Sequence, residues 1–149
     1  MPPSALVIDD EPGICTLLRE ILTRQGYQVY EAKDGLSGLE QFYLVQPDII
    51  LVDISMPGCD GFTIVKEIRR QNLAVGILMV SALKHKQLLD QAVTSGADGY
   101  LNKPFRMTEL LKEVQRINAV VRLRRTMLPS QTNWSHHQRA YAPLPTCQG

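Results

Sequence analysis

Ala5-Leu6-Val7-Ile8-Asp9-Asp10-Glu11-Pro12 is the stretch that decides the fold, because an apolar run ends there in consecutive acids. Such a run is typical of a strand buried on both faces of a parallel sheet. Pro12 suits the first turn of a helix. The spacing of the apolar residues that follow predicts one buried helical face, made of Ile14, Leu17, Leu18, Ile21 and Leu22. Gly26 is expected to end this helix.

The same unit, an apolar strand followed by a helix, recurs along the chain until five have been read. Asp34 is expected to cap the second helix, with Leu36 and Leu39 facing the core. A final helix is expected from Thr108. Regular alternation favours a parallel sheet covered by helices on both faces, which is an α/β fold. The later predicted strands cover residues 27–32, 49–52, 75–80 and 99–102. The later predicted helices cover residues 34–45, the segment after 61, residues 85–95 and the segment after 108.

Polar side chains follow four of the predicted strands. Parallel sheets of this kind bind ligands beyond the carboxyl ends of their strands, so these side chains are expected to meet. Carboxylates gathered in one place suit Mg²⁺, and a carboxylate is also a competent nucleophile toward phosphorus. A lysine can pair with phosphoryl oxygens, and a serine hydroxyl can hydrogen-bond to one. The residues concerned are Asp9, Asp10, Asp53, Ser81 and Lys103.

Each of these residues also has an ordinary structural interpretation. Paired acids after a strand often form the charged start of a helix, and Asp53 can serve as a turn residue or cap. Lys103 before a proline is compatible with a plain surface lysine, and Tyr100 with a half-buried core residue. The functional hypothesis therefore depends on the agreement of several strand ends with one topology rule.

Four segments together resemble the receiver domains of bacterial two-component response regulators: LVIDDEP at 6–12, DISMPGCDG at 53–61, SA at 81–82 and GADGYLNKPF at 96–105. The resemblance spans residues 4 to about 123. It implies a flavodoxin-like fold, a doubly wound parallel sheet of five strand-helix units with strand order 2-1-3-4-5. It also implies a phosphoacceptor that receives its phosphoryl group from a histidine kinase or phosphotransfer protein and then binds a downstream protein.

The resemblance assigns roles to the residues at the strand ends. Asp53 would accept the phosphoryl group. Asp10 and Asp53 would bind Mg²⁺ through their side chains, Ser55 through its backbone carbonyl, and Asp9 through a water molecule. Lys103 would contact the phosphoryl group.

The resemblance also implies a switch. Ser81 and Tyr100 would form the pair that moves on phosphorylation, and the Lys103-Pro104 peptide bond would be cis, an uncommon geometry. Leu83, two residues after Ser81, would face the phosphoryl site. The sequence does not indicate in which direction Leu83 would change the lifetime of the phosphorylated state.

The C-terminal part of the chain differs in charge from the rest. Residues 1–110 contain 10 Lys or Arg and 14 Asp or Glu, whereas residues 111–149 contain six Lys or Arg and one acid. We expect a receiver domain at 1–125 and a disordered tail at 126–149, which is too short for a DNA-binding output domain. The sequence shows neither a signal peptide nor an apolar stretch long enough to span a membrane, so we expect a cytoplasmic protein. The sequence does not determine whether the protein forms a homodimer.

Two alternatives use the same residues differently. A phosphatase of the haloacid dehalogenase kind also has a strand-end aspartate nucleophile, but its nucleophile motif is similar to Asp-x-Asp, and Ser55 occupies the second acidic position here. A binding module that works without phosphorylation would use the basic cluster at residues 122–125, although arginines at a helix C-terminus are favourable without any partner.

Overall fold

Five parallel strands form the centre of the computed structural model, which describes residues 2–127. In chain order the strands are Ser4–Ile8 (β1), Gln28–Ala32 (β2), Ile49–Val52 (β3), Gly76–Ser81 (β4) and Gly99–Asn102 (β5). The helices are Pro12–Arg24 (α1), Gly35–Val45 (α2), Gly61–Gln71 (α3), Lys86–Ser95 (α4) and Met107–Met127 (α5). The strand order is β2-β1-β3-β4-β5, which confirms the predicted topology.

Two apolar layers hold the sheet between the helices. Leu6 and Ile8 of β1 face the layer formed with α2, α3 and α4, whereas Ala5 and Val7 face the layer formed with α1 and α5. These four side chains have no exposed surface. Alternate residues of one strand therefore enter opposite cores, which explains why β1 reads as a continuous apolar run.

The helices α2 and α3 begin at aspartates that cap them. The Asp34 side chain accepts a hydrogen bond from the Ser37 amide at 2.8 Å, and Asp60 accepts one from the Thr63 amide at 2.8 Å. These bonds satisfy amides that have no partner within the helix. The predicted cap at Asp34 is confirmed.

Two leucines predicted for the core lie at the surface instead. Leu17 is 41% exposed and Leu36 is 43% exposed. In α2 the buried face includes Gly38, where an added Cβ would lie 2.6 Å from the Ile8 Cδ1 atom. In α1 the buried face includes Cys15. Small residues let these helices approach the sheet, and the neighbouring leucines are turned outward as a result.

The C-terminal half of α5 is attached to the body by ion pairs. Arg124 pairs with Asp98, and Arg125 contacts Asp48 at 2.7 Å. The helix continues to Met127, two residues beyond the predicted end of the domain at position 125. The rest of the predicted tail, residues 128–149, lies outside the described residues. Within residues 2–127, no helix is both long and apolar enough to cross a membrane.

Gly61 at the start of α3 fixes how closely this helix approaches the end of β3. A Cβ at this position would collide with the backbone carbonyl of Asp53 and lie 2.9 Å from the Cα of Ile54. We predict that Gly61→Ala lowers the free energy of unfolding by about 1–3 kcal/mol, since backbone must shift to admit the methyl group. Urea denaturation measures the change.

Gly13 provides the matched control for this substitution. It lies within α1, and an added Cβ would meet nothing within 4 Å. Gly13→Ala should therefore raise the free energy of unfolding by about 0.4–1 kcal/mol, because alanine restricts the unfolded chain. Equal effects of the two substitutions would contradict the close approach at Gly61.

Candidate functional site

The carboxyl ends of three strands bring Asp9, Asp53 and Lys103 together, as predicted. The Lys103 Nζ atom lies 2.8 Å from Asp9 Oδ2 and 3.4 Å from Asp53 Oδ2. The three residues follow β1, β3 and β5. In the sequence, Lys103 lies 94 residues after Asp9 and 50 residues after Asp53. The ion pairs thus join distant parts of the chain at one edge of the sheet.

Backbone hydrogen bonds fix the positions of Asp53 and Lys103 at the edge of the sheet. The Asp53 amide donates to the Ile8 carbonyl at 2.9 Å, and the Lys103 amide donates to the Ser81 carbonyl at 2.9 Å. Each bond extends a parallel ladder by one residue past the strand end. Asp53 and Lys103 are consequently held by the sheet itself.

The charged side chains of this site are almost fully buried, so they interact strongly with one another. The exposed fractions are 2% for Asp9, 4% for Asp53 and 7% for Lys103. Burial, followed by the charge of Asp9, raises the pKa of Asp53 above its usual range, although Lys103 opposes the change. Burial also disfavours the Lys103 ammonium, but hydrogen bonds to Asp9 and Glu11 and the charges of Asp53 and Asp9 outweigh it and raise the pKa of Lys103. The lysine therefore remains charged.

The acids at this edge form a set of oxygen ligands. Carboxylate oxygens of Asp9, Asp10 and Asp53 lie within 4.8 Å of one another, and Asp10 is exposed while the other two are buried. The Ser55 amide donates to Asp53 Oδ1 at 3.2 Å, which places this residue beside the cluster. Hard oxygen ligands with one side open to water fit Mg²⁺. The excess of carboxylates over the single Lys103 ammonium also favours a cation.

Glu11 is a site residue that the sequence interpretation missed. Its Oε1 atom lies 3.1 Å from the Lys103 Nζ atom, so it is a third carboxylate partner of the lysine. Its backbone amide also donates to Asp9 Oδ1 at 2.9 Å. The run of three acids was visible in the sequence, but the position of Lys103 opposite the third was not.

Ser81 and Tyr100 are connected through the backbone of Leu83. The Leu83 amide donates to the Ser81 hydroxyl oxygen at 3.3 Å, and the Tyr100 hydroxyl donates to the Leu83 carbonyl. Ser81 is 1% exposed, whereas Tyr100 is half-buried. Burial raises the pKa of the Tyr100 hydroxyl above its usual range. The predicted switch residues therefore both contact Leu83, which lies in the loop that follows β4.

Tyr100 also forms part of the protein surface. It lines two hollows, one of about 290 Å³ toward Val93 and Arg116 and one of about 220 Å³ toward Lys84 and Asn102. Leu89 lines both hollows as well. A change in the position of the Tyr100 ring would alter both hollows at once.

Comparison with known proteins gives a consistent result. A family model described as the response regulator receiver domain matches residues 5–115. The chain is 40% identical over 126 residues to the DNA-binding dual master transcriptional regulator RpaA of Synechocystis, an alignment that covers 83% of this chain and 50% of that protein. The chain spans about half the length of the curated relatives it matches.

Solved structures show the same fold. The chemotaxis protein CheY4 of Vibrio cholerae is 32% identical with a TM-score of 0.75, over 78% of this chain and 99% of that protein. The response regulator TrrA of Thermotoga maritima, solved in complex with Mg²⁺-BeF, is 33% identical with a TM-score of 0.71, over 77% of this chain and 98% of that one. The flavodoxin-like fold expected from the sequence is confirmed, and the Lys103-Pro104 peptide bond is cis as expected.

The raised pKa of Asp53 leads to a stability prediction. A carboxyl with a higher pKa in the folded than in the unfolded protein contributes stability at low pH, and this stability is lost as the pH rises through the folded pKa. We predict that, without divalent cations, Asp53→Asn raises the urea midpoint at pH 7. The difference from the native protein should narrow as the pH falls toward about 4, the ordinary range for carboxyl groups.

Asp90→Asn is the control, because Asp90 is an exposed carboxylate on α4. It should change the free energy of unfolding by less than about 0.5 kcal/mol. A lower midpoint for Asp53→Asn at pH 7 would show that the Lys103 contact stabilises the ionised Asp53 by more than its burial costs.

Proposed function

Because the chain belongs to the response regulator receiver family, whose members are phosphoacceptors in two-component signalling, we propose that Asp53 accepts the phosphoryl group. The contact of Lys103 with both Asp53 and Asp9 is the observation that supports this best. It places a buried cation against the carboxylate that has to attack an anionic donor. Phosphoryl transfer depends mainly on such positioning and charge stabilisation.

The chemical step uses groups at this edge of the sheet, a divalent cation and a phosphoryl donor. A carboxylate oxygen of Asp53 attacks the phosphorus, a new O–P bond forms, and the bond between phosphorus and the donor atom breaks. The leaving group, an imidazole nitrogen of a phosphohistidine or the acetate of acetyl phosphate, keeps the bonding electron pair. Lys103, which lies 3.4 Å from Asp53 Oδ2, and the Ser81 hydroxyl would bind the phosphoryl oxygens.

We propose Mg²⁺ as the cofactor of this step. Asp10 and Asp53 would bind it through carboxylate oxygens, Ser55 through its backbone carbonyl and Asp9 through water. Bound Mg²⁺ would offset the negative charge that accumulates between the donor and the acids. The structure of TrrA, which is in complex with Mg²⁺-BeF, supports this choice.

The Ser81–Leu83–Tyr100 connection supports a switching role. A phosphoryl group that draws the Ser81 hydroxyl toward itself removes the acceptor of the Leu83 amide. The Leu83 carbonyl belongs to the same loop and holds the Tyr100 hydroxyl. Phosphorylation would thus shift the balance between two positions of this loop, and with it the surface around Tyr100.

The partners follow from this role as proposals. A histidine kinase or phosphotransfer protein would supply the phosphoryl group, and a downstream protein would recognise the surface around Tyr100, with a homodimer as one form of that recognition. We expect the protein to act in the cytoplasm and to catalyse only its own phosphorylation and dephosphorylation. Ser55, at the position where a haloacid dehalogenase phosphatase has its second acid, supports that limit.

The basic end of α5 gives little support to a nucleic-acid function. Arg124 is paired with Asp98, and Arg125 is paired with Asp48. An arginine that is paired with an acid of the same chain attracts a phosphate group less strongly than an unpaired arginine does. The basic cluster therefore fits a structural role for α5 better than a separate binding site.

The proposed function predicts phosphorylation by a small donor. After incubation with acetyl phosphate and Mg²⁺, the intact mass should increase by one phosphoryl group, because Asp53, Lys103 and the metal together suffice for the transfer. Asp53→Asn should abolish the increase, and chelation of Mg²⁺ with EDTA should do the same.

Asp60→Asn is the matched control for this experiment. Asp60 lies in the loop that follows Asp53 and caps α3, and asparagine caps helices about as well. It should retain phosphorylation. A native protein that gains no mass under any condition, or an Asp53→Asn variant that gains it fully, would contradict the assignment.

A further inference from the structure

Glu11 contacts the catalytic lysine without belonging to the proposed metal or acceptor set. Its side chain is 57% exposed, whereas the side chains of Asp9 and Asp53 are 2% and 5% exposed. The three carboxylates lie 2.8 Å (Asp9), 3.1 Å (Glu11) and 3.4 Å (Asp53) from the Lys103 Nζ atom. Glu11 is thus closer to the lysine than the proposed acceptor is.

The number of donors on Lys103 limits what it can bind. A protonated lysine has three N–H donors, and three carboxylates surround this one. A phosphoryl group on Asp53 would bring further acceptor oxygens to the same ammonium. The first phosphoryl oxygen can replace the 3.4 Å contact of Asp53, and any further phosphoryl oxygen that Lys103 binds has to displace Asp9 or Glu11.

Glu11 is the partner that is released most easily. The Asp9 carboxylate is buried, and its Oδ1 atom accepts a hydrogen bond from the Glu11 amide at 2.9 Å. Separating a buried carboxylate from its cation leaves an uncompensated charge, which is strongly unfavourable. The exposed Glu11 carboxylate can return to water, where its charge is well solvated.

We propose that Glu11 is a positioning residue that holds Lys103 in the unphosphorylated state and competes with the phosphoryl group for it. The inference rests on the proposed function of Asp53. It identifies Glu11 as a residue that affects how readily Asp53 becomes phosphorylated. Loss of the Glu11 contact leaves a donor of Lys103 available before the phosphoryl group arrives. Release of Glu11 then no longer opposes binding.

Beryllofluoride with Mg²⁺ is a suitable probe, because it imitates a phosphoryl group on a carboxylate without a covalent step. Glu11→Gln should bind it about two- to fivefold more tightly than the native protein in calorimetric titration, the range expected for one exposed ion pair. With acetyl phosphate, the half-saturating donor concentration should fall while the limiting rate of phosphorylation does not.

Glu11→Asp separates the contact from the charge. It keeps the carboxylate but shortens the side chain by one bond, about 1.5 Å, so the contact with Lys103 is lost. The proposal predicts tighter beryllofluoride binding for this variant as well. Glu20→Gln, an exposed glutamate elsewhere on α1, is the control and should match the native protein, and urea denaturation of each variant checks that it is folded.

The outcomes distinguish this inference from the proposed function. A native protein that neither binds beryllofluoride nor accepts a phosphoryl group contradicts the function of Asp53 itself. If the native protein does both, unchanged or weaker binding by Glu11→Gln overturns the holding role alone. Tighter binding by Glu11→Gln together with native affinity for Glu11→Asp also overturns it, because charge and not the contact would then be responsible.

Discussion

The contact of the Lys103 ammonium with the carboxylates of Asp9 and Asp53 is the interaction on which the rest of the site depends. Two buried acids next to each other repel, and burial adds to the free energy of ionising them. Lys103 reduces this repulsion while keeping its own pKa high. The same contact joins the residues that follow β1, β3 and β5, so the groups proposed for phosphoryl transfer also link three strand ends.

The strand order explains why the site and the switch are neighbours. With β4 between β3 and β5, the end of β4 at Ser81 lies between the strand that precedes Asp53 and the strand that precedes Lys103. The loop after Ser81 carries Leu83, whose amide and carbonyl are bonded to Ser81 and Tyr100. The proposed switch therefore begins at the end of the strand next to β3.

Much of this could be predicted from the sequence, and the failures have physical reasons. Apolar runs ending in polar residues located the strands and most of the site, because the carboxyl ends of parallel strands must share an edge. Periodicity alone placed Leu36 in the core, since it cannot show that Gly38 lets α2 approach Ile8 so closely. The roles of Glu11 and Arg124 depend on partners far away in sequence, Lys103 and Asp98, which only the packed structure brings near. Leu83 acts through its backbone, and a side-chain pattern does not record such a contact.

The central claim, that Asp53 is the residue that receives the phosphoryl group, is tested most directly by locating the modification. Borohydride reduces an aspartyl phosphate to homoserine, which is stable enough for peptide sequencing by mass spectrometry. After treatment with acetyl phosphate and Mg²⁺ and then borohydride, we expect homoserine at position 53 and aspartate at positions 9 and 10. Homoserine at Asp9 or Asp10 with Asp53 unchanged would contradict it, because a neighbouring acid would then be the nucleophile.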